Sequence, residues 1–133
     1  AFASLAALGL VAVPTDISET SDLTDEDGNP KHVYHFTNDT GKRGISATGT
    51  LLPGASGRVY FSAIPYGTAA QAQSALALPR TPSGYFAVPR GNINGPLTWT
   101  AVGPNFGQPG GGVEASFPGA VSLDGAQWFP LGQ

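Results

Sequence analysis

The stretch HVYHFTNDTGKRGISATGTLL, residues 32–52, contains three structural elements in a row. Residues 32–37 alternate valine and aromatic side chains, a pattern typical of a β-strand. Asn38 or Asp39 can then cap a short helix through residues 45–47, and Gly49 is the kind of residue that commonly ends a helix. Leu51 and Leu52 predict a second strand. The stretch therefore predicts a strand, a short helix and a strand.

Beyond this stretch, the chain predicts one more helix and a series of strands. Gly67 and Thr68 open a helix over residues 69–78, which Pro79 stops. Strands are predicted over residues 58–64, 85–88, 97–102, 113–117 and 121–123, with residues 127–131 as an edge strand. This order is typical of an α+β fold. We expect a small split β-sandwich of two antiparallel sheets with one or two short helices around a ligand cleft.

The composition limits the classes of site that the chain can hold. Its 133 residues suffice for one domain, and 41% apolar residues with 19 glycines and 12 prolines indicate a folded, turn-rich β protein. The absence of cysteine and methionine excludes a disulfide scaffold, thiol chemistry and zinc sites built on thiolates. With two histidines and few carboxylates, we expect no metal site.

Acidic residues are concentrated at the start of the chain. Residues 1–27 hold six carboxylates and no base (−6), whereas residues 28–133 hold six Lys/Arg and three carboxylates (+3), which gives the net −3. We predict an N-terminal part, residues 1–30, with an apolar helix Ala1–Val13 that contains the apolar run Phe2–Val13, followed by an acidic linker, and a functional domain, residues 31–133. Twelve apolar residues are fewer than the roughly twenty that span a bilayer, so no membrane span is expected. The chain is expected to be part of a longer polypeptide.

Glu114 is the single glutamate after Glu26, and it directly follows the glycine run 110–112 and Val113. A chain this poor in carboxylates has little structural use for one beside glycines, so we predict a chemical role. A fixed carboxylate in a dry cleft stabilises a developing sugar cation far better than water does. As a general base it can contribute about a hundredfold to ten-thousandfold. The glycines are expected to let the backbone approach a ligand and let the strand move.

Several motif residues precede Glu114 in a fixed order. They are Tyr34-His35-Phe36-Thr37, Gly44-Ile45, Gly49, Leu52-Pro53 and Val59-Tyr60-Phe61-Ser62. With Glu114, they resemble the ADP-ribosyltransferases of the histidine-tyrosine-glutamate class, which include diphtheria-toxin-like enzymes and poly-ADP-ribose polymerases. The closer resemblance is to small toxin domains at the C-termini of bacterial polymorphic toxins, such as Rhs-type and toxin-complex proteins. It covers residues 32–131.

The resemblance implies that NAD+ is the substrate and that Glu114, His35 and Tyr60 are the catalytic residues. His35, with Thr37 beside it, would hold the adenosine ribose. Tyr60 would stack on the nicotinamide, where a cation over an aromatic face gains about 0.5–2 kcal/mol. Further cofactor-binding positions would be Gly44, Arg58, Phe61, Ser62 and Tyr66, with Arg43 as a second candidate for the pyrophosphate.

The resemblance also implies a mono-ADP-ribosyltransferase effector that is delivered as part of a larger secreted toxin. It would act in the target-cell cytoplasm on a macromolecule, either protein or nucleic acid. Because such an enzyme endangers the cell that makes it, a cognate immunity protein is expected. Gly112 stands where relatives that modify arginine carry an acidic residue or glutamine, which argues against an arginine acceptor.

Two alternatives stay open at this point: an NAD+ glycohydrolase that depletes the cofactor, and a non-enzymatic β-rich binding module. In the module, His35 and Tyr60 would be ordinary strand residues, and Glu114 an edge-strand carboxylate that opposes aggregation. Convergence of the three residues in one cleft would favour an enzyme. Their placement on opposite faces of a sheet would count against both enzymes and leave the binding module.

Overall fold

The structure, a computed structural model, describes residues 30–132. The chain divides after Lys31 into two units, and the second, His32–Gln133, is the one described here. The predicted N-terminal helix and acidic linker lie outside the described residues, apart from Pro30. The elements are β1 His32–Thr37, α1 Asp39–Thr48, β2 Thr50–Leu51, β3 Val59–Ser62, α2 Ala69–Ala75, β4 Gly84–Pro89, a 3-10 turn Arg90–Asn92, β5 Thr98–Ala101, β6 Val113–Phe117, β7 Val121–Ser122 and β8 Gln127–Pro130.

Helix α1 begins and ends where the sequence predicts. The Asn38 side chain accepts a hydrogen bond from the Gly41 N–H at 2.9 Å, which satisfies one of the free donors of the first turn. At the other end, Gly49 adopts the left-handed conformation (φ 66°) and donates its N–H to the Ile45 carbonyl. Both caps are local, so they can form before the rest of the fold.

The strands form two antiparallel sheets, and the predicted α+β class is confirmed. The larger sheet has the order β5-β6-β3-β1-β4-β8, so β8 is an edge strand as predicted. The smaller sheet pairs β2 with β7 through Thr50–Ser122 and Leu51–Val121. Strand bounds differ from the sequence-based ones by a few residues at most.

Strand register gives the six-stranded sheet two distinct faces. Because side chains alternate along each strand and directly opposite residues share a face, Ser62 and Glu114 lie on one face, the front face. The back face carries Phe61 and Val33, which pack with Leu51 and Val121 of the smaller sheet in one buried cluster. The hydrophobic core therefore lies behind the sheet.

Helix α2 is three residues shorter than predicted. Thr68 caps its start, but it ends at Ala75 instead of continuing to residue 78. Ala77 turns into the left-handed region (φ 48°), and the Leu78 N–H reaches back to the Gln73 carbonyl at 3.0 Å. The carbonyls of Ser74 and Ala75 accept hydrogen bonds from Gly110 and Gly112 at 2.9 and 3.0 Å. A distant segment, which local sequence cannot reveal, thus completes the end of this helix.

Candidate functional site

Glu114 lies on the front face of β6, the strand next to the edge strand β5. It lies opposite Ser62 of β3 and Thr100 of β5, so its side chain shares a transverse row with both. The carboxylate is half-buried and makes no hydrogen bond with any described residue. Ser62, its buried neighbour, uses its hydroxyl to donate to the Ile64 carbonyl and to accept from the Ile64 N–H. Desolvation therefore raises the pKa of the Glu114 carboxyl above its ordinary value.

Tyr60 shares the front face with Glu114, one row along the sheet. It pairs with Ser116, which places it diagonally across from Glu114 at about 7–8 Å. Its ring is 40% exposed, and its hydroxyl donates to Ser56 Oγ at 3.1 Å. The structure therefore brings these two predicted residues together. The exposed ring is available to a ligand.

Arg58 lies on the same face and ties three strands together. Its Nε donates to Ser116 Oγ at 2.7 Å, and its Nη2 donates to Thr98 Oγ1 and the Ser116 carbonyl at 3.1 and 3.2 Å. Nη1 makes no bond to a described residue. One edge of the guanidinium thus serves the fold, and the other remains available for an anion.

His35 lies on the other face of the sheet. Its ring packs edge-on against Phe61, a core residue, with centroids 6.1 Å apart. Its Nδ1 lies 2.8 Å from the Tyr60 carbonyl oxygen, and since a carbonyl only accepts, Nδ1 carries the proton. Burial lowers the pKa of the imidazole, so the ring is neutral near pH 7.

The bond from His35 closes a gap between two strands. The β1–β3 ladder registers only Tyr34 with Ser62. Beyond this pair, the His35 side chain donates to the Tyr60 carbonyl and so links the two strands. The three residues therefore do not converge in one cleft: Tyr60 and Glu114 share the front face, whereas His35 lies behind the sheet. By the criterion of shared faces, this placement counts for the binding module, and the case for an enzyme depends on Tyr60 and Glu114 without His35. The ribose contact assigned to His35 stays a prediction.

Three other predicted cofactor-binding side chains have tasks within the fold. Phe61 is 2% exposed and belongs to the core, because it alternates with Tyr60 and so points behind the sheet. The Ser62 hydroxyl is fully engaged in its turn with Ile64. Thr37 packs so closely on α1 that a Cβ at Gly41 would overlap its hydroxyl. Direct ligand contact by these side chains would require them to leave these partners.

Gly44 and Arg43 lie on α1, away from the front face. Ile45 packs this helix against the back-face core, whereas Arg43 and Gly44 are exposed. A Cβ added at Gly44 would meet nothing within 4 Å. The structure does not bring either residue to Glu114, because α1 packs behind the sheet. Of the two arginines proposed for the pyrophosphate, only Arg58 shares the face of Glu114.

The glycine run before Glu114 is hydrogen-bonded to two neighbouring segments. Gly110 and Gly112 bond to the end of α2, and Gly111 donates to the Val102 carbonyl at 2.8 Å. A Cβ at Gly112 would lie 2.9 Å from both the Ala75 carbonyl oxygen and Tyr66 Oη. Glycine is needed here for close packing, and movement of the strand on ligand binding stays a prediction. The close packing at Gly112 also places the Tyr66 hydroxyl near the strand of Glu114.

The aromatic residues of β1, β4 and β8 on the front face were not identified from sequence. Tyr34 and Tyr85 meet edge-on with centroids 5.5 Å apart, and Tyr85 stacks on Phe129 at 5.4 Å. The sequence shows only that these aromatic residues alternate with residues of the opposite face, as Tyr34 does with Val33 and His35. Without the strand register, however, their meeting could not be foreseen.

The described residues include neither a metal-ligand cluster nor a membrane-spanning helix. No cluster of three or more His, Asp or Glu side chains there is placed to hold a metal ion. Among the helices described for residues 30–132, none has the length and apolar character needed to cross a bilayer.

Comparison of the chain with protein-family models, curated proteins and solved structures finds no match. The resemblance to ADP-ribosyltransferases accordingly depends on the motif residues alone. The structure adds that Glu114, Tyr60 and Arg58 lie on the same face of the sheet.

Replacing His35 is expected to reveal a pH-dependent contribution to stability. Because its pKa is lower in the folded protein than the ordinary value of about 6.5, the unfolded chain takes up a proton first as the pH falls. The contribution is therefore fully present above about pH 6.5 and is lost as the pH falls through the folded pKa. His35→Asn keeps an N–H donor but cannot titrate, so its melting temperature should fall less steeply below pH 6.5.

The matched variant His35→Ala removes both the donor and the ring. It should cost about 1–3 kcal/mol at pH 7, because the Tyr60 carbonyl loses its partner. Urea unfolding at pH 5 and pH 7 measures both effects. A melting profile of His35→Asn that is parallel to that of the wild type would contradict the lowered pKa of His35, and a His35→Ala variant as stable as the wild type would contradict the structural role.

Proposed function

We propose that residues 31–133 form a mono-ADP-ribosyltransferase domain that uses NAD+ as its substrate. The observation that carries the proposal is Glu114: a half-buried carboxylate with a raised pKa, without a described hydrogen-bond partner, on the same face as an exposed tyrosine. A fold has no stability to gain from such a group, because burial without pairing costs free energy. Perturbed and unpaired carboxylates of this kind occur preferentially at functional sites.

The proposed reaction needs a carboxylate at this place. The bond between the ribose C1 and the nicotinamide nitrogen breaks, its electron pair leaves with the nicotinamide, and positive charge develops on the ribose. The ionised Glu114 lowers the energy of that charge, and partial desolvation strengthens the effect. A nucleophile of the acceptor then bonds to C1 and releases its proton to Glu114 or to solvent.

The neighbouring residues take distinct roles in this scheme. The exposed ring of Tyr60 packs on the cationic nicotinamide. The free Nη1 of Arg58 meets a phosphate oxygen, while its other nitrogens stay bound to Ser116 and Thr98. His35 is a positioning residue, because its bond to the Tyr60 carbonyl holds the backbone of β3 at the site.

The biological setting follows from the resemblance. The domain is delivered as part of a larger secreted toxin and modifies a macromolecule in the target-cell cytoplasm. A cognate immunity protein protects the producing cell. Because residues 28–133 carry a net charge of +3, an acidic inhibitor surface would gain association rate and specificity from charge complementarity.

Labelled NAD+ and a cell lysate provide the direct test. With the wild-type chain, label should appear on macromolecules, and separate protease and nuclease treatments then identify protein or nucleic acid as the acceptor. Free ADP-ribose without labelled macromolecules would instead identify an NAD+ glycohydrolase. If nicotinamide is not released at all, the enzyme proposal fails and the binding module remains.

NAD+ binding should also raise the melting temperature. A ligand at a hundredfold excess over its dissociation constant stabilises the folded state by about 2.7 kcal/mol. Tyr60→Ala should weaken NAD+ binding about threefold to thirtyfold because stacking is lost. Trp99→Ala is the matched control, since Trp99 is 42% exposed but lies on the back face of β5. Equal thermal shifts for the wild type and Tyr60→Ala would exclude Tyr60 from the site.

A further inference from the structure

A pocket lies on the front face, two strands away from Glu114. It is a pocket of about 210 Å³, and Tyr34, Tyr85 and Phe129 form its aromatic walls. Gln127 of the edge strand β8 and His32 at the start of β1 also line it. A cavity of this size is comparable to one that accepts a single aromatic ring.

The walls present flat aromatic surfaces. Tyr85 and Phe129 stack with an interplanar angle of 25°, and Tyr34 meets Tyr85 at 87°. Phe129 is 40% exposed on an edge strand, so one of its ring surfaces is open. Such an arrangement favours a planar ligand that can stack, because stacking is tolerant of the exact ring system.

The Tyr34 hydroxyl has no hydrogen-bond partner among residues 30–132. The side chain is only 9% exposed, yet none of the described residues hydrogen-bonds its hydroxyl. Buried tyrosines almost always use their hydroxyl in a hydrogen bond. Burial raises the pKa of Tyr34 to about 12, so the group is a protonated donor at neutral pH. A ligand atom in the pocket would complete this bond.

The polar groups of the pocket select among planar ligands. The described lining residues include no carboxylate, lysine or arginine, which disfavours a zwitterion or an anion in the pocket itself. The hydroxyl of Tyr34 and the amide of Gln127 can both donate and accept. A neutral ring with hydrogen-bonding edges fits this combination better than a hydrocarbon ring does.

The geometry points to a nucleobase-binding site in the pocket walled by Tyr34, Tyr85 and Phe129. Tyr34 and Gln127 belong to the same transverse row as Ser62 and Glu114. Two strand spacings, about 10 Å, separate Tyr34 from Glu114 along this row. This step depends on the proposed function. The base is then the adenine of an NAD+ molecule whose nicotinamide-bearing ribose lies at Glu114. A separate nucleotide is the other source of the same chemistry.

Adenosine is the probe for this site, measured by calorimetric titration of the full chain with uridine and L-phenylalanine as comparison ligands. Adenosine should bind saturably, and L-phenylalanine should bind at least about tenfold more weakly. Phe129→Ala should weaken adenosine about tenfold through lost stacking, and Tyr34→Phe about fivefold through one lost hydrogen bond. Phe106→Ala is the matched control, because Phe106 is 61% exposed on a hairpin loop that does not line the pocket.

The outcomes separate this inference from the proposed function. If adenosine fails to bind, or binds Phe129→Ala as tightly as the wild type, the nucleobase site is overturned even when NAD+ is consumed. If adenosine binds but NAD+ is not cleaved, the pocket stands and the transferase proposal fails. Competition between adenosine and NAD+ in Glu114→Gln would support adenine as the occupant, and additive binding would support a separate nucleotide.

Discussion

Glu114→Gln should reduce ADP-ribose transfer by about a hundredfold to a thousandfold while the domain stays folded. The amide cannot carry the negative charge that opposes the developing ribose cation, and loss of one such electrostatic group typically has this effect. Transfer from labelled NAD+ is the measurement. Glu114→Asp is the matched control, because it keeps the charge but withdraws it by one methylene, so it should retain more activity than Glu114→Gln.

The raised pKa of Glu114 makes this prediction sharper in two ways. Activity of the wild type should fall on the acid side as the pH drops through a pKa above the ordinary value of about 4.3, since only the ionised form is competent. For stability, the folded protein binds this proton more tightly than the unfolded chain, so ionisation at pH 7 disfavours the folded state. Glu114→Gln should therefore melt at the same temperature or higher at pH 7.

The difference in melting temperature between the wild type and Glu114→Gln is confined to a defined pH range. It should be absent well below about pH 4, where the carboxyl is protonated in both states, and should develop as the pH rises through the folded pKa. A folded Glu114→Gln variant with wild-type transfer would end the transferase proposal. A variant that unfolds at pH 7 would show instead that the carboxylate is structural.

Phe61→Ala should lower the free energy of unfolding by about 3–5 kcal/mol. Phe61 is 2% exposed and lies among Val33, Val59 and Phe86 in the back-face core, so truncation removes buried apolar area and leaves a cavity. Such a loss is a large fraction of the roughly 5–15 kcal/mol that stabilises a typical domain. Urea unfolding measures this loss of free energy, provided that the dependence of the free energy on urea concentration has the same slope in both proteins.

The neighbouring residue supplies the control. Tyr60→Ala, one position away on the same strand, should cost about 1 kcal/mol, because Tyr60 faces the front and is 40% exposed. The milder variant Phe61→Leu should remain folded and keep NAD+ binding, since the side chain lies behind the sheet. Loss of NAD+ binding in a stable Phe61→Leu variant would restore the direct cofactor contact that the motif resemblance implies for Phe61.

The local parts of the fold were predictable because their determinants lie within a few residues of each other. The caps of α1 depend on Asn38 with Gly41 and on Gly49 with Ile45, all inside the segment 38–49. Strand positions follow from alternation and from flanking turn residues, and the existence of β8 as an edge strand was predicted in the same way. Glu114 was identified as a candidate from its isolation in a chain poor in carboxylates.

Strand register and long-range contacts decided the rest. A shift of one residue would exchange the faces of Tyr60 and Phe61, so no local pattern could show that His35 lies behind the sheet while Glu114 lies in front. The early end of α2 depends on hydrogen bonds from Gly110 and Gly112, more than thirty residues away. By itself the sequence determined which residues form strands, helices and caps, because these are short-range choices. Only the tertiary structure decided which side chains share a face, because pairing between distant strands sets that outcome.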